Sequence, residues 1–245
     1  MPRLEVMKGR LTMAAMGLSI LVLAAPAAAQ DVDDAVALHL KARGGAEKWA
    51  SIQSQRTTGT INAGGIELGM TLIVARPNMM RQDLVIEMPG QDPVSIHTAF
   101  DGTRAWAINP MSGSVEPQEL SGPEAQSARD QADFDGPLIG YREKGHTVTL
   151  VGRETVAGRP ALHLRIDRGS DPAIDYFIDA ESGAELRLQV GGASGTRVDF
   201  SDHRTIDGIL VPHRISVLAP TGPADIVVSS VEFNVETTPE TFRLP

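Results

Sequence analysis

From Thr57 to the C-terminus, apolar and polar residues alternate with the period of two that marks half-buried β-strands. The alternation predicts strands at 55–62, 66–76, 80–88, 94–100 and 103–109. After a break it resumes at 146–154, 160–168, 174–179, 184–190, 196–202, 209–217 and 225–235. Leu162, Leu164 and Ile166, for example, oppose His163, Arg165 and Asp167. Ala157-Gly158 and Glu181-Ser182-Gly183 read as hairpin turns. Neighbours joined so tightly, with no helix between them, must pair antiparallel.

Helical periodicity occurs in only three places. Over 31–43, Val32, Val36 and Leu40 share a face, Asp31, Asp33 and Asp34 favour the N-terminus, and Gly44-Gly45 stop the helix. A short turn over 46–52 has Trp49 as its apolar anchor. Within the break at 110–145, Ser121-Gly-Pro-Glu124 has capping-box spacing. The helix it opens, to about Ala132, has a thin apolar side of Ala125, Ala128 and Ala132, and Gly136-Pro137 ends the region. So little apolar area makes this helix cheap to move. A many-stranded sheet with so few helices buries its apolar face in one of two ways. A second sheet covers it, or it curls around the helices and any ligand. No repeat and no domain boundary interrupts 30–245, which reads as one domain.

One strand breaks its own pattern. Counting back in twos from Arg76 gives Val74, Leu72, Met70, Leu68 and Ile66, so a guanidinium ends an apolar face. Such a group is costly to bury unless its donors are satisfied. It reads either as a side chain at the rim of an apolar surface holding something polar, or as a solvated strand end. The set Ile66, Leu68, Met70, Leu72, Leu84, Ile86, Met88, Ile96, Trp106 and Ile108 reads as the inward face, either core or cavity lining.

The first 29 residues read as an export signal: Arg3, Lys8 and Arg10, an apolar run from Leu11 to Leu23, and Ala27-Ala28-Ala29 after Pro26. Removing them takes one acid and three bases from the chain's 31 and 22, leaving 30 against 19, a net charge of −11. That balance argues against nucleic acid and anionic lipid surfaces. With no cysteine, the chain has no disulfide, thiol nucleophile or lipidated N-terminal cysteine. The six histidines lack metal-ligand spacing, and Asp199, Asp202 and His203 read as a solvated strand edge. No nucleophile elbow or phosphate-binding loop occurs, so no catalytic residue, metal or cofactor is expected.

Val74-Ala-Arg76-Pro77-Asn78-Met79-Met80, followed by Asp101-Gly102-Thr-Arg-Ala-Trp106-Ala-Ile-Asn109-Pro110, resembles the LolA-like periplasmic lipoprotein carriers. Val231-Glu-Phe233-Asn234 and Thr238-Pro239-Glu240-Thr241-Phe242 are similar to that family's last strand and tail. The Gly152 … Pro160 and Gly208 … Pro212 segments are similar to the wider lipoprotein-sorting group. The resemblance implies a mainly β (α+β) fold: an incomplete antiparallel β-barrel, with helices forming a lid over an apolar cavity. It implies that Arg76 latches the lid, here the 110–145 segment, and that Met80 and the inward set bind a hydrophobic ligand. Where the carriers place aromatics this chain has Met79, Met80, Ala107 and Ile108, walls that adapt to lipid chains of varied shape. The implied protein is a periplasmic monomer that carries lipoprotein acyl chains or a related lipid towards the outer membrane. Inner-membrane donor and outer-membrane acceptor proteins would be its partners. The alternative is an envelope sensor or interaction domain on the same fold.

Overall fold

The computed structural model describes residues 27–243; the basic and apolar parts of the expected export signal lie outside them. Three helices, α1 (Ala27–Ala42), α2 (Ala46–Ser51) and α3 (Gly122–Ala132), accompany thirteen strands in one sheet. The strands before α3 are β1 (Ser54–Ala63), β2 (Ile66–Ala75), β3 (Met79–Ile86), β4 (Val94–Phe100), β5 (Ala105–Asn109) and β6 (Ser114–Glu119). Those after it are β7 (Thr147–Val156), β8 (Arg159–Arg168), β9 (Asp171–Asp179), β10 (Glu185–Val190), β11 (Thr196–Ile206), β12 (Ile209–Ala219) and β13 (Gly222–Phe233).

The expected strands are all present, and β6 is an additional one inside the predicted break. Its sequence, Ser-Val-Glu-Pro-Gln-Glu, carries a proline and no apolar alternation, as suits an edge strand. At α3 the expected capping box does not form: Ser121 is the N-cap but its side chain caps nothing. The first helix begins at Ala27, which leaves its first turn without the acids expected there.

Sheet order explains why the 110–145 segment is a cover. The order is β6-β5-β4-β3-β2-β1-β13-β12-β11-β10-β9-β8-β7, every pair antiparallel. The chain winds out to one edge at β6 and winds back from the other edge at β7. The β6–β7 connection must therefore cross a face of the whole sheet, and α3 lies in it. The two edges do not pair with each other, so the barrel stays open.

Two packing clusters line the crossed face. Ala125, Ala128 and Ala132 of α3, with Trp49 and Phe134, pack on Val74, Met80, Phe100 and Ala105. Ala35 of α1 and Leu138 pack on Leu162, Leu164, Ile166, Ile174, Tyr176 and Ile178 at the other side. Glycine permits the close approach of α1 to the turn between β9 and β10. Gly183, at φ +75°, lies where a Cβ would collide with the Leu38 carbonyl of α1. Gly183→Ala should cost at least about 2 kcal/mol from the left-handed backbone and the collision together, read as a lower urea midpoint at unchanged slope.

Candidate functional site

Arg76 follows the end of β2, where the sheet meets the crossing segment. Its Nη1 and Nη2 each donate to one oxygen of Asp135 at 2.7 Å, a bidentate pair. Nε donates to the Ile52 carbonyl at 2.9 Å and Nη2 also to the Trp49 carbonyl at 3.3 Å. The guanidinium lies over the Phe134 ring at 4.6 Å. Asp135 belongs to the loop after α3, so a side chain of the sheet grips the cover itself. The indole of Trp49 donates to the same Asp135 oxygen at 2.8 Å, bringing α2 into the clasp. Burial raises the Asp135 carboxyl, but the hydrogen bonds from Arg76 and Trp49 outweigh it and hold it below the usual carboxylate range.

Sequence reasoning identified Arg76 but neither Asp135 nor the indole N–H. Beyond the clasp, Arg43 lies over the Trp49 ring at 4.6 Å and donates to Glu185 of β10 at 2.7 Å, while Tyr176 of β9 donates to the same carboxylate. His39 of α1 donates from Nδ1 to the Gly183 carbonyl at 3.0 Å. A chain of polar contacts thus runs from β2 through the cover and both N-terminal helices to β10.

Strand register sorts the expected lining residues. Paired residues share a face, and two apolar rows run across the crossed face. One joins Val94, Ile86, Leu68, Ile61, Ile226, Ile215 and Phe200, one residue from each successive strand between β4 and β11. The other joins Ile66, Ala63, Ala224, Val217, Val198, Leu188, Tyr176, Leu164 and Leu150, from β2 round to β7. Their middle members are half-buried, because α3 covers the Arg76 end of β2–β5 and α1 packs on β7.

Ile66, Leu68, Met70, Leu84, Ile86 and Ile96 lie on this face, Ile66 more than half exposed at its rim. Leu72 and fully buried Met80 lie under α3 as packing. Met88 falls beyond the end of β3. Trp106 and Ile108 take the opposite, outer face, because Ala107 pairs with Thr98 on the inner one. Arg104 covers the Trp106 ring at 4.9 Å. The rest of that motif builds turns. Asp101 Oδ1 accepts from the amides of Thr103 and Arg104, and Asn109 Oδ1 accepts from the Met111 amide.

Two cavities flank α3. One, of about 490 Å³, lies between α3 and β3–β6, within the range of small-molecule sites. Its walls are mixed: Ile96, Ala107, Leu120 and Ala128 alternate with Gln82, Thr98, Asn109 and Gln131. The continuous apolar character of this face lies in the two rows, beyond the helix. The other cavity, of about 270 Å³, lies between α3 and β8–β10. Among the described residues no group of His, Asp or Glu is placed to hold a metal ion.

No family matches the sequence as a whole, and no curated protein does. Solved structures do share the architecture. A LolA superfamily protein from Nitrosomonas europaea superposes with a TM-score of 0.58 at 14% identity, covering 89% of this chain and 98% of that one. The fold is LolA-like. A DUF1329 family protein from Desulfovibrio piger gives a TM-score of 0.58 at 14% identity, over 86% of this chain and 97% of its own. An outer membrane lipoprotein-sorting protein domain from Vibrio parahaemolyticus gives 0.57 at 14% identity, over 86% and 97%. The chain is therefore a mainly β, open half-barrel whose two sheet edges do not pair with each other.

Proposed function

We propose that this protein binds and carries an amphiphile with an acyl chain, held along the apolar rows of the half-barrel and released as the α3 cover closes. The carrying observation is the register: long rows of aliphatic side chains lie side by side on the inner face and stay half-buried between the helices. Exposed apolar surface of that extent marks a site for an apolar partner. Each methylene buried there gains about 0.8 kcal/mol, so a long chain offsets the opening of a thinly anchored helix. Shared architecture with a lipoprotein-sorting domain and a LolA superfamily protein supports the same reading.

An export signal over 1–29, as the sequence reads, and the net negative charge of the remainder would suit a working place in the periplasm. There the protein would receive cargo from an inner-membrane donor and pass it towards an outer-membrane acceptor, with Arg76 as the latch of the empty form. The test is mass spectrometry of the protein taken from the periplasm, with titration of a fluorescent palmitoyl probe. An acyl compound should co-purify, and Leu84→Asp, which sets a charge beside Met70 and Ile96, should weaken the probe about tenfold or more. A protein that is empty and indifferent to the probe would instead fit an interaction domain.

A further inference from the structure

The cavity between α3 and β8–β10 has an aliphatic floor and an ionic roof. Ile174, Leu188 and Val190 of the inner face form the floor. The floor is continuous with the longer apolar row, since Leu188 pairs with Val198 and, on its other side, with Tyr176. The roof carries three cations and three carboxylates, and most of them neutralise one another. Lys144 donates to both oxygens of Asp133 at 2.6 and 2.7 Å. Arg168 donates to Asp130 at 2.8 Å and to the Pro172 carbonyl at 2.9 and 3.0 Å.

Two charges of the roof have no partner of opposite sign among the described residues. Arg129 donates only to the neutral Gln126 Oε1 at 2.7 Å. Asp171 accepts only from Gln126 Nε2 at 3.3 Å. One amide therefore holds a free guanidinium and a free carboxylate at the rim of one small cavity, above a greasy floor.

We infer that this cavity is the headgroup site of the carried amphiphile, and that the headgroup is zwitterionic, a phosphate joined to an amine. Arg129 supplies paired N–H donors for a phosphate, the geometry guanidinium matches best. Asp171 supplies the acceptor for an ammonium. A singly charged anionic head would leave the Asp171 carboxylate facing it unpaired, and an uncharged head would satisfy neither group. From Leu188 the chain would run along Val198 and Val217. The inference rests on the proposed carrier reading and adds to it the polar end of the ligand.

The experiment titrates the full chain by calorimetry with palmitoyl lysophosphatidylethanolamine, palmitoyl lysophosphatidylglycerol and uncharged monopalmitoylglycerol, which share one chain. The zwitterionic lipid should bind about tenfold tighter than the other two. Arg129→Gln and Asp171→Asn, both near the surface, should each remove that advantage and leave the uncharged lipid unchanged. Free phosphoethanolamine separates a membrane-derived amphiphile from a soluble phosphate ester, and it should bind too weakly to register. Equal affinity for the three heads, or indifference to both variants, would overturn the headgroup site while leaving chain binding intact. Failure of all three lipids to bind would overturn the carrier reading beneath it.

Discussion

Arg76→Leu should leave the half-barrel folded and loosen its cover, raising the apparent affinity for an acyl ligand about 30-fold and slowing release in proportion. The magnitude follows from what the guanidinium does. It makes two charge-assisted bonds to Asp135 and two more to backbone carbonyls, partly shielded from water. Such an arrangement contributes about 2 kcal/mol to the closed form after solvent exchange, a factor of about 30. On the other side of the balance, α3 packs through three alanines, whose burial contributes little. Closed and open forms therefore differ by an amount that one ion pair can decide, and a ligand must overcome that difference to bind. Leucine is preferable to alanine here because it fills space against Phe134 and opens no cavity. Amide hydrogen exchange over 122–146 reads the latch directly, without any ligand. Unchanged protection there in the leucine variant would refute it.

How much of this was legible in the sequence depends on whether the cause was local. Strand parity placed Arg76 at the end of an apolar face, and the structure gives its guanidinium a carboxylate partner in the 110–145 segment. Asp135 carried no such signal. Asp133-Phe134-Asp135 holds two acids of similar context, and only the crossing of the sheet decides that one meets Arg76 and the other Lys144. Trp49 read correctly as an apolar anchor, but its N–H partner lies 86 positions away.

Strand 103–109 shows a different limit. Large Trp106 and Ile108 suggest the buried side, yet the hairpin pairs Phe100 with Ala105 and turns the alanines inward. The reason is steric. The alanine face of α3 approaches this part of the sheet, and small residues there let the helix sit close. Similarly, β6 has no alternation to read, because an edge strand with one proline owes its place to pairing with β5 rather than to burial.

Acid should destabilise the protein in two steps, the first beginning well above the carboxylate range. His39 is buried on the inward face of α1, and burial first, then the nearby Arg43, holds its imidazole down at about 4. Unfolding restores an ordinary value near 6.5, so the unfolded chain binds the proton first. The stability associated with neutral His39 is complete above pH 6.5 and is lost as pH falls towards 4, about 3 kcal/mol in all. Glu185 extends the loss. Burial raises its carboxyl, but Arg43 above all, with His39 and Tyr176, brings it down to about 2. Its contribution is present above pH 4.5 and disappears between 4.5 and about 2. Both losses have the same sign, so the contribution of this buried pair should fall steadily from pH 6.5 down to about 2. His39→Asn separates the steps: the amide can still donate to the Gly183 carbonyl but does not titrate. Urea unfolding of that variant should show a shallower profile between pH 6.5 and 4.5, where burial-depressed His203 still contributes, and then fall below it as Glu185 takes up its proton. Equal slopes for the variant and the parent across the upper window would show that His39 does not carry the first step. The two steps centre on the joint between α1 and the β9–β10 turn, the end of the polar chain that begins at Arg76. Mild acid should therefore loosen the support of Trp49 and raise exchange in the 133–146 segment before the sheet itself opens.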